Sequence, residues 1–186
     1  MQNLDSPDQL LLDTCCLLNL HATRRIEEIF RALNLVIAIV DRVSREAMYL
    51  RRGGGDEDAD EHERIDLQPL IAKGFLRVLR LEVDEEFTSF VRFAADLDDG
   101  EAMTCAVAVH RGAMIATDDR KTLRILAGRA PHTEVYTTAR LIKHWADAHS
   151  IVGPELKPVL LDIQERTHFF PGRHEPLREW WEAQIR

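Results

Sequence analysis

Gln9-Leu10-Leu11-Leu12-Asp13-Thr14-Cys15-Cys16 places an aspartate directly behind three consecutive leucines. A short apolar run closed by polar residues reads as a buried strand, and the helical spacing that follows makes the unit a strand, an acid and a helix. The same order recurs along the chain. The apolar run 35–40 is followed by Asp41, the run 113–116 by Thr117-Asp118-Asp119, and Val135-Tyr136 adds a fourth short run. Between the first two, Leu18, Ala22, Ile26, Ile29 and Leu33 recur at helical spacing, as do Ala102, Cys105, Ala106 and Val109 before the third. Strands alternating with such helices predict an α/β fold with both faces of a central, mainly parallel sheet of four or five strands covered. A further short strand is expected over 75–81 and a helix over 85–95. Others follow around Leu141, Ile142 and Trp145, over 159–166, and around Leu177, Trp180, Trp181 and Ile185.

The 186 residues, 45% hydrophobic and 30% charged, fit one globular domain and exclude disordered, collagen-like and disulfide-scaffold classes. Residues 1–150 read as the α/β domain, and 151–186, opening near Gly153-Pro154, as a helical extension packed on it. Cys15, Cys16 and Cys105 form no Cys-x-x-Cys pair, which argues against a disulfide framework or structural zinc and suits a reducing cytoplasm; all three are expected on or near buried helix faces. No cationic start precedes a long apolar stretch, and the longest apolar run, 35–40, is too short to span a bilayer. Neither an export signal nor a membrane anchor is expected.

The formal net charge of −8 is concentrated in one place. Asp56, Glu57, Asp58, Asp60, Glu61 and Glu63 supply six of the 32 acids, and without them 26 acids face 24 bases. Net charge therefore does not exclude a nucleic-acid partner. Residues 51–63, with Gly53-Gly54-Gly55, read as a flexible insertion; they lack the Lys-Ser/Thr that completes a phosphate loop.

Asp13, Asp41 and Asp118-Asp119 fall at carboxyl ends of expected parallel strands, the edge at which open α/β sheets place their ligands. Glu46 and Glu101, on neighbouring helices, reach the same edge. Each acid alone also reads as a helix cap: Asp98 with Glu101 fits a capping box, and Asp119 precedes a helix. Several carboxylates drawn together repel one another unless a cation joins them, and hard oxygen donors without a His or Cys set favour Mg²⁺ or Mn²⁺.

In order and spacing, four segments resemble the motifs of PIN-domain nucleases. They are Leu11-Leu12-Asp13-Thr14-Cys15, Val43-Ser44-Arg45-Glu46, Asp98-Asp99-Gly100-Glu101-Ala102 and Ile115-Ala116-Thr117-Asp118-Asp119-Arg120. The likeness is to the prokaryotic VapC-like branch with the Gly-Glu-Ala motif. It covers Gln9 to about Ser150 and more weakly the tail, and the acidic run has no counterpart in it. It implies a PIN-like three-layer α/β/α sandwich and a Mg²⁺- or Mn²⁺-dependent endoribonuclease, as in the toxins of toxin–antitoxin pairs, leaving a 5′-phosphate and a 3′-hydroxyl.

On this sequence the resemblance assigns Asp13, Glu46, Glu101 and one of Asp118 or Asp119 to the catalytic acids. Asp13, Glu101, Asp118 and Asp119 would be the metal ligands. Aligning Thr117-Asp118-Asp119 on the family's Thr-x-Asp favours Asp119, and the doublet leaves the register open. Thr14, Thr117, Arg120 and Lys121 are expected to contact substrate. Arg24, Arg25, Arg51, Arg52 and Arg124 are further bases available to an RNA backbone. The implied partners are RNA and a cognate antitoxin protein, with a homodimer left open and no membrane. A PIN-like module that binds nucleic acid or protein without cleaving is the alternative, and the complete acid set argues against it.

Overall fold

The computed structural model describes residues 8–46, 49–51 and 62–186, so most of the acidic run, and Arg52, lie outside the described residues. The strands are β1 (Gln9–Leu12), β2 (Val36–Val40), β3 (Tyr49–Arg51), β4 (His62–Arg64), β5 (Arg77–Leu79), β6 (Met114–Ala116) and β7 (Val135–Tyr136). Five of them form one sheet in the order β5-β2-β1-β6-β7, every pairing parallel. Leu10, Leu11 and Leu12 are fully buried, as a strand covered on both faces requires. The chain builds outward from β1 to β2 and β5, then crosses to β6 and β7. The order therefore reverses beside β1 and β6, and a crevice opens at the carboxyl ends of strands where this happens.

The helices are α1 (Thr14–Ala22), α2 (Ile26–Leu33), α3 (Asp41–Glu46), α4 (Gln68–Ala72), α5 (Asp84–Ala94), α6 (Asp99–Arg111), α7 (Arg120–Arg129), α8 (Thr138–Ala148), α9 (Leu156–Thr167) and α10 (Arg178–Ile185). One group packs α1 against α2, α8 and α9; another packs α6 against α3 and α5, giving the three-layer α/β/α sandwich. Gly100, Ala102, Cys105, Ala106 and Ala108 are buried along α6, and such small side chains let its backbone lie close to its neighbours. Glu86 on α5 is almost fully buried and accepts from Arg111 Nε at 2.7 Å and from the Glu82 N–H at 2.7 Å. The Arg111 guanidinium holds its carboxyl below the usual range.

The helical spacing that runs from Leu18 to Leu33 is interrupted. Thr23 turns its hydroxyl back to the Leu20 carbonyl at 2.5 Å and accepts from the Arg25 N–H at 3.0 Å, and Arg24 adopts φ 56°. A hydroxyl that serves the backbone locally competes with helix continuation, so α1 and α2 are separate. The antiparallel pair β3–β4 was not expected; its described strands join Tyr49 to Arg64 and Arg51 to His62.

The C-terminal residues supply core rather than decoration. Leu156, Leu160, Ile163 and Trp181 are buried with the rest, and Phe169 meets Trp181 edge-on at 5.5 Å between ring centroids. Arg166, almost fully buried, donates to the Ala22 carbonyl at 3.0 Å and pairs with Glu63. No described helix is long and apolar enough to cross a membrane.

Candidate active site

Asp13 ends β1 and caps α1, its Oδ1 accepting from the Cys16 N–H at 2.6 Å. Its own N–H donates to the Ala116 carbonyl, which fastens it to the neighbouring strand β6. The side chain is 5% exposed. Burial pushes its carboxyl up to about 7, against the pull of hydrogen bonds from the Thr117 hydroxyl and the Cys16 N–H; the charge of Asp118 adds to the rise. A carboxyl raised in this way is one that a cation beside it would draw back toward its charged form.

Thr117, expected to contact substrate, is fully buried. Its hydroxyl bonds Asp13 and accepts from the Asp119 N–H at 3.1 Å, so it joins the two acids instead of facing a ligand.

The doublet after β6 divides. Asp118 is saturated: Oδ1 accepts from the Thr138 N–H at 2.9 Å, and Oδ2 from the Thr138 hydroxyl at 2.5 Å, Asn19 Nδ2 at 3.2 Å and Cys16 Sγ at 3.4 Å. Burial nonetheless holds its carboxyl above the usual range. Asp119 caps α7 through Oδ1 and the Thr122 N–H at 2.7 Å. Among the described residues its other oxygen has no hydrogen-bond partner.

Glu101 stands in the first turn of α6, whose cap is Asp98. Partial burial, then the charges of Asp98 and Asp119, raise its carboxyl. Glu46, at the end of α3, lies at the edge of this set. Its Oε2 accepts from Thr14 Oγ1 at 3.2 Å and its Oε1 from Arg42 Nε at 2.8 Å. The same Oε2 is 2.6 Å from where a Cβ on Gly100 would sit, so a larger residue there would move the end of the Glu46 side chain off α6. Among the described residues, Glu46 is thus the one member of the expected acid set with a basic partner.

A crevice of about 310 Å³ collects Cys15, Asn19, Glu101, Asp118, Asp119 and Phe169 on its walls, with no Lys or Arg among its lining residues. The expected burial of all three thiols holds for Cys16 and Cys105; Cys15 is exposed, because the first turn of α1 turns it toward the acids. Burial and the charges of Asp13, Asp118, Glu101 and Asp119 push its thiol up to about 12, one side chain within the field of all four carboxylates.

Arg120 and Lys121 are exposed on the first turn of α7, beside Asp119. Cations there oppose the helix dipole, so helix stability does not account for them. Arg124 is exposed one turn further on. Arg24 and Arg25 follow α1, whose nine residues carry the chain roughly 13 Å from the crevice, and Arg25 pairs with Glu28. Arg51 lies on β3, away from the central sheet.

The donor set fits a hard divalent cation: oxygen ligands, unneutralised, with burial raising three of the carboxyls. Among the described residues no three His, Cys, Asp or Glu side chains close into a finished cage. Mg²⁺ is accommodated by such a partial shell, since it keeps several waters and takes one or two carboxylates together with substrate phosphate oxygens.

No curated protein matches the chain significantly. The sequence model of a family described as a PIN domain matches residues 9–174, which span β1, every acid named above and the turn after α9. With a parallel five-stranded sheet and a carboxylate crevice at its switch point, the chain belongs to the PIN-domain family, whose fold is that of nucleases.

Proposed function

We propose that the protein is a divalent-metal-dependent endoribonuclease. The observation that carries this reading is the meeting of Glu101, Asp118 and Asp119 in one crevice without a basic side chain among its walls, with buried Asp13 behind them acting on the same Cys15 thiol. Asp13, Glu101 and Asp119 would hold the Mg²⁺ or Mn²⁺, with Asp118 buttressing Asp119 and completing the negative field. When bound, such an ion polarises a phosphoryl oxygen and makes a coordinated water nucleophilic at neutral pH, so no protein nucleophile is required.

The chain's own part is positional. The Cys16 N–H and the Thr117 hydroxyl orient Asp13; the Thr122 N–H orients Asp119; Thr138 and Asn19 fix Asp118. Glu46, steered by Thr14 and Arg42, is the acid on the far side of Gly100 and extends the set toward α3. Arg120 and Lys121 would bind the phosphodiester backbone, whose approach the acids alone would oppose. We take 1–150 as the nuclease domain and 151–186 as its helical extension, in a cytoplasmic protein. The resemblance to VapC-like sequences extends the proposal to the toxin of a toxin–antitoxin pair, partnered by a cognate antitoxin.

Incubating purified protein with single-stranded RNA and Mg²⁺ or Mn²⁺ tests the reading. Internal cleavage leaving 3′-hydroxyl ends is expected, abolished by EDTA and by Glu101→Gln. Cleavage that survives both changes would contradict the assignment.

A further inference from the structure

Beside the crevice lies a larger cavity of about 560 Å³, and Asp118 and Phe169 line both. The two differ in charge. The charged residues that line the crevice are all acids, whereas Arg120, Arg173, His168 and His174 line the cavity against Asp118 and Glu175. The wall is made by the turn between α9 and α10. His168 takes a left-handed φ of 57° after the last turn of α9, and the chain leaves the helix axis there. Phe169 packs against buried Trp181, while Phe170, lining the cavity, remains 38% exposed.

Phe170 is also fixed. The Arg178 guanidinium carbon lies 5.0 Å from its ring centroid, and Arg178 is itself anchored to Glu182 at 2.8 Å and to the Pro171 carbonyl at 3.1 Å. A pre-positioned, half-open aromatic ring in a cavity that also presents two arginines suits an unstacked base with its phosphates. In a duplex the base faces are already stacked on one another, so such a platform selects single strands.

We propose that this cavity is a nucleotide subsite for the single strand of RNA flanking the cleaved bond, with Phe170 as the stacking platform and Arg120 and Arg173 as phosphate contacts. The inference rests on the ribonuclease reading of the adjoining crevice. The acids bind the scissile phosphate only through a cation, and the neighbouring nucleotides need a path that offers cationic side chains; Arg120 and Arg173 supply them in this adjoining cavity, where they balance Asp118 and Glu175.

Anisotropy of a fluorescent single-stranded RNA in EDTA reads the subsite without any cleavage. Phe170→Leu, which keeps an apolar side chain in the turn, should weaken binding about tenfold, and Phe170→Trp should retain it. Arg173→Ala should weaken binding and reduce the slope of log affinity against log salt by about 0.7. An abasic nucleotide moved along the RNA should locate one position whose lost base costs the wild type about tenfold and costs Phe170→Leu nothing further. Unchanged binding in both Phe170→Leu and Arg173→Ala, or equal binding of a duplex, would overturn the subsite. If single strands bind through Phe170 but no RNA is cut with Mg²⁺ or Mn²⁺, the ribonuclease reading fails on its own. If RNA is cut while Phe170→Leu binds like the wild type, the subsite alone fails.

Discussion

Asp13→Asn is expected to cut metal-dependent RNA cleavage at least ~1000-fold while making the metal-free protein more stable. The loss follows from removing the charge nearest the buried end of β1, because an amide cannot balance the ion that activates water, and ~4 kcal/mol of barrier is about three decades in rate. The gain follows from linkage. Asp13 moves from 3.8 unfolded to about 7 folded, because burial disfavours its charged form. Below pH 3.8 both states carry the proton. Between about pH 4 and 7 the unfolded chain has lost it and the folded chain retains it, so stability falls as pH rises, by up to ~4 kcal/mol. Asparagine does not titrate and its carbonyl still caps α1. Melts in EDTA at pH 5 and pH 8 should therefore show the advantage of Asp13→Asn growing with pH; a constant difference would mean that Asp13 is not the unneutralised acid.

Trp181→Ala should lose about 3–5 kcal/mol, which for a chain of this size lowers the melting temperature by roughly 10 °C. Trp181 is fully buried and carries Phe169 on its edge, so its removal opens a cavity between α10 and the core. It also loosens the turn that walls the Phe170 cavity, so single-strand affinity should fall with stability, while Trp181→Phe keeps most of both. Urea melts measure the first effect and anisotropy the second. A loss under about 1 kcal/mol would show the last helix to be an appendage and not part of the core.

The sheet was readable because its strands are short apolar runs, each followed by a polar residue or two. Asp13 announced itself locally, since an acid behind three buried leucines sits where desolvation demands a partner. Other features depend on residues far apart in the chain. Asp118 and Asp119 are indistinguishable in sequence, and the difference comes from Thr138 and Asn19, which saturate the first. The carboxylate of Glu46 is held by Thr14, more than thirty residues earlier, and lies against Gly100, more than fifty residues later. Thr117 is expected at the substrate from its match to the last family motif, and the structure instead buries it at a strand end with its hydroxyl turned inward. The strand Tyr49–Arg51 has no alternation and pairs with the charged His62–Arg64, so nothing local marked it. The second cavity is illegible in the sequence for a similar reason: Phe170 and Arg173 meet Arg120 only because the chain turns at His168.

The central claim is that Asp13, Glu101 and Asp119 share one divalent ion in the crevice beside β1 and β6. It is tested most directly by melting the protein across a Mn²⁺ titration at pH 8, as wild type, as Glu101→Gln, and with the acids of 56–61 neutralised. An ion bound only by the folded form should raise stability by about 2.7 kcal/mol at 100 times its dissociation constant. The predicted result is that this rise is kept when the acids of 56–61 are neutralised and lost in Glu101→Gln. A rise undiminished in Glu101→Gln and abolished by neutralising 56–61 would put the ion elsewhere and contradict the account.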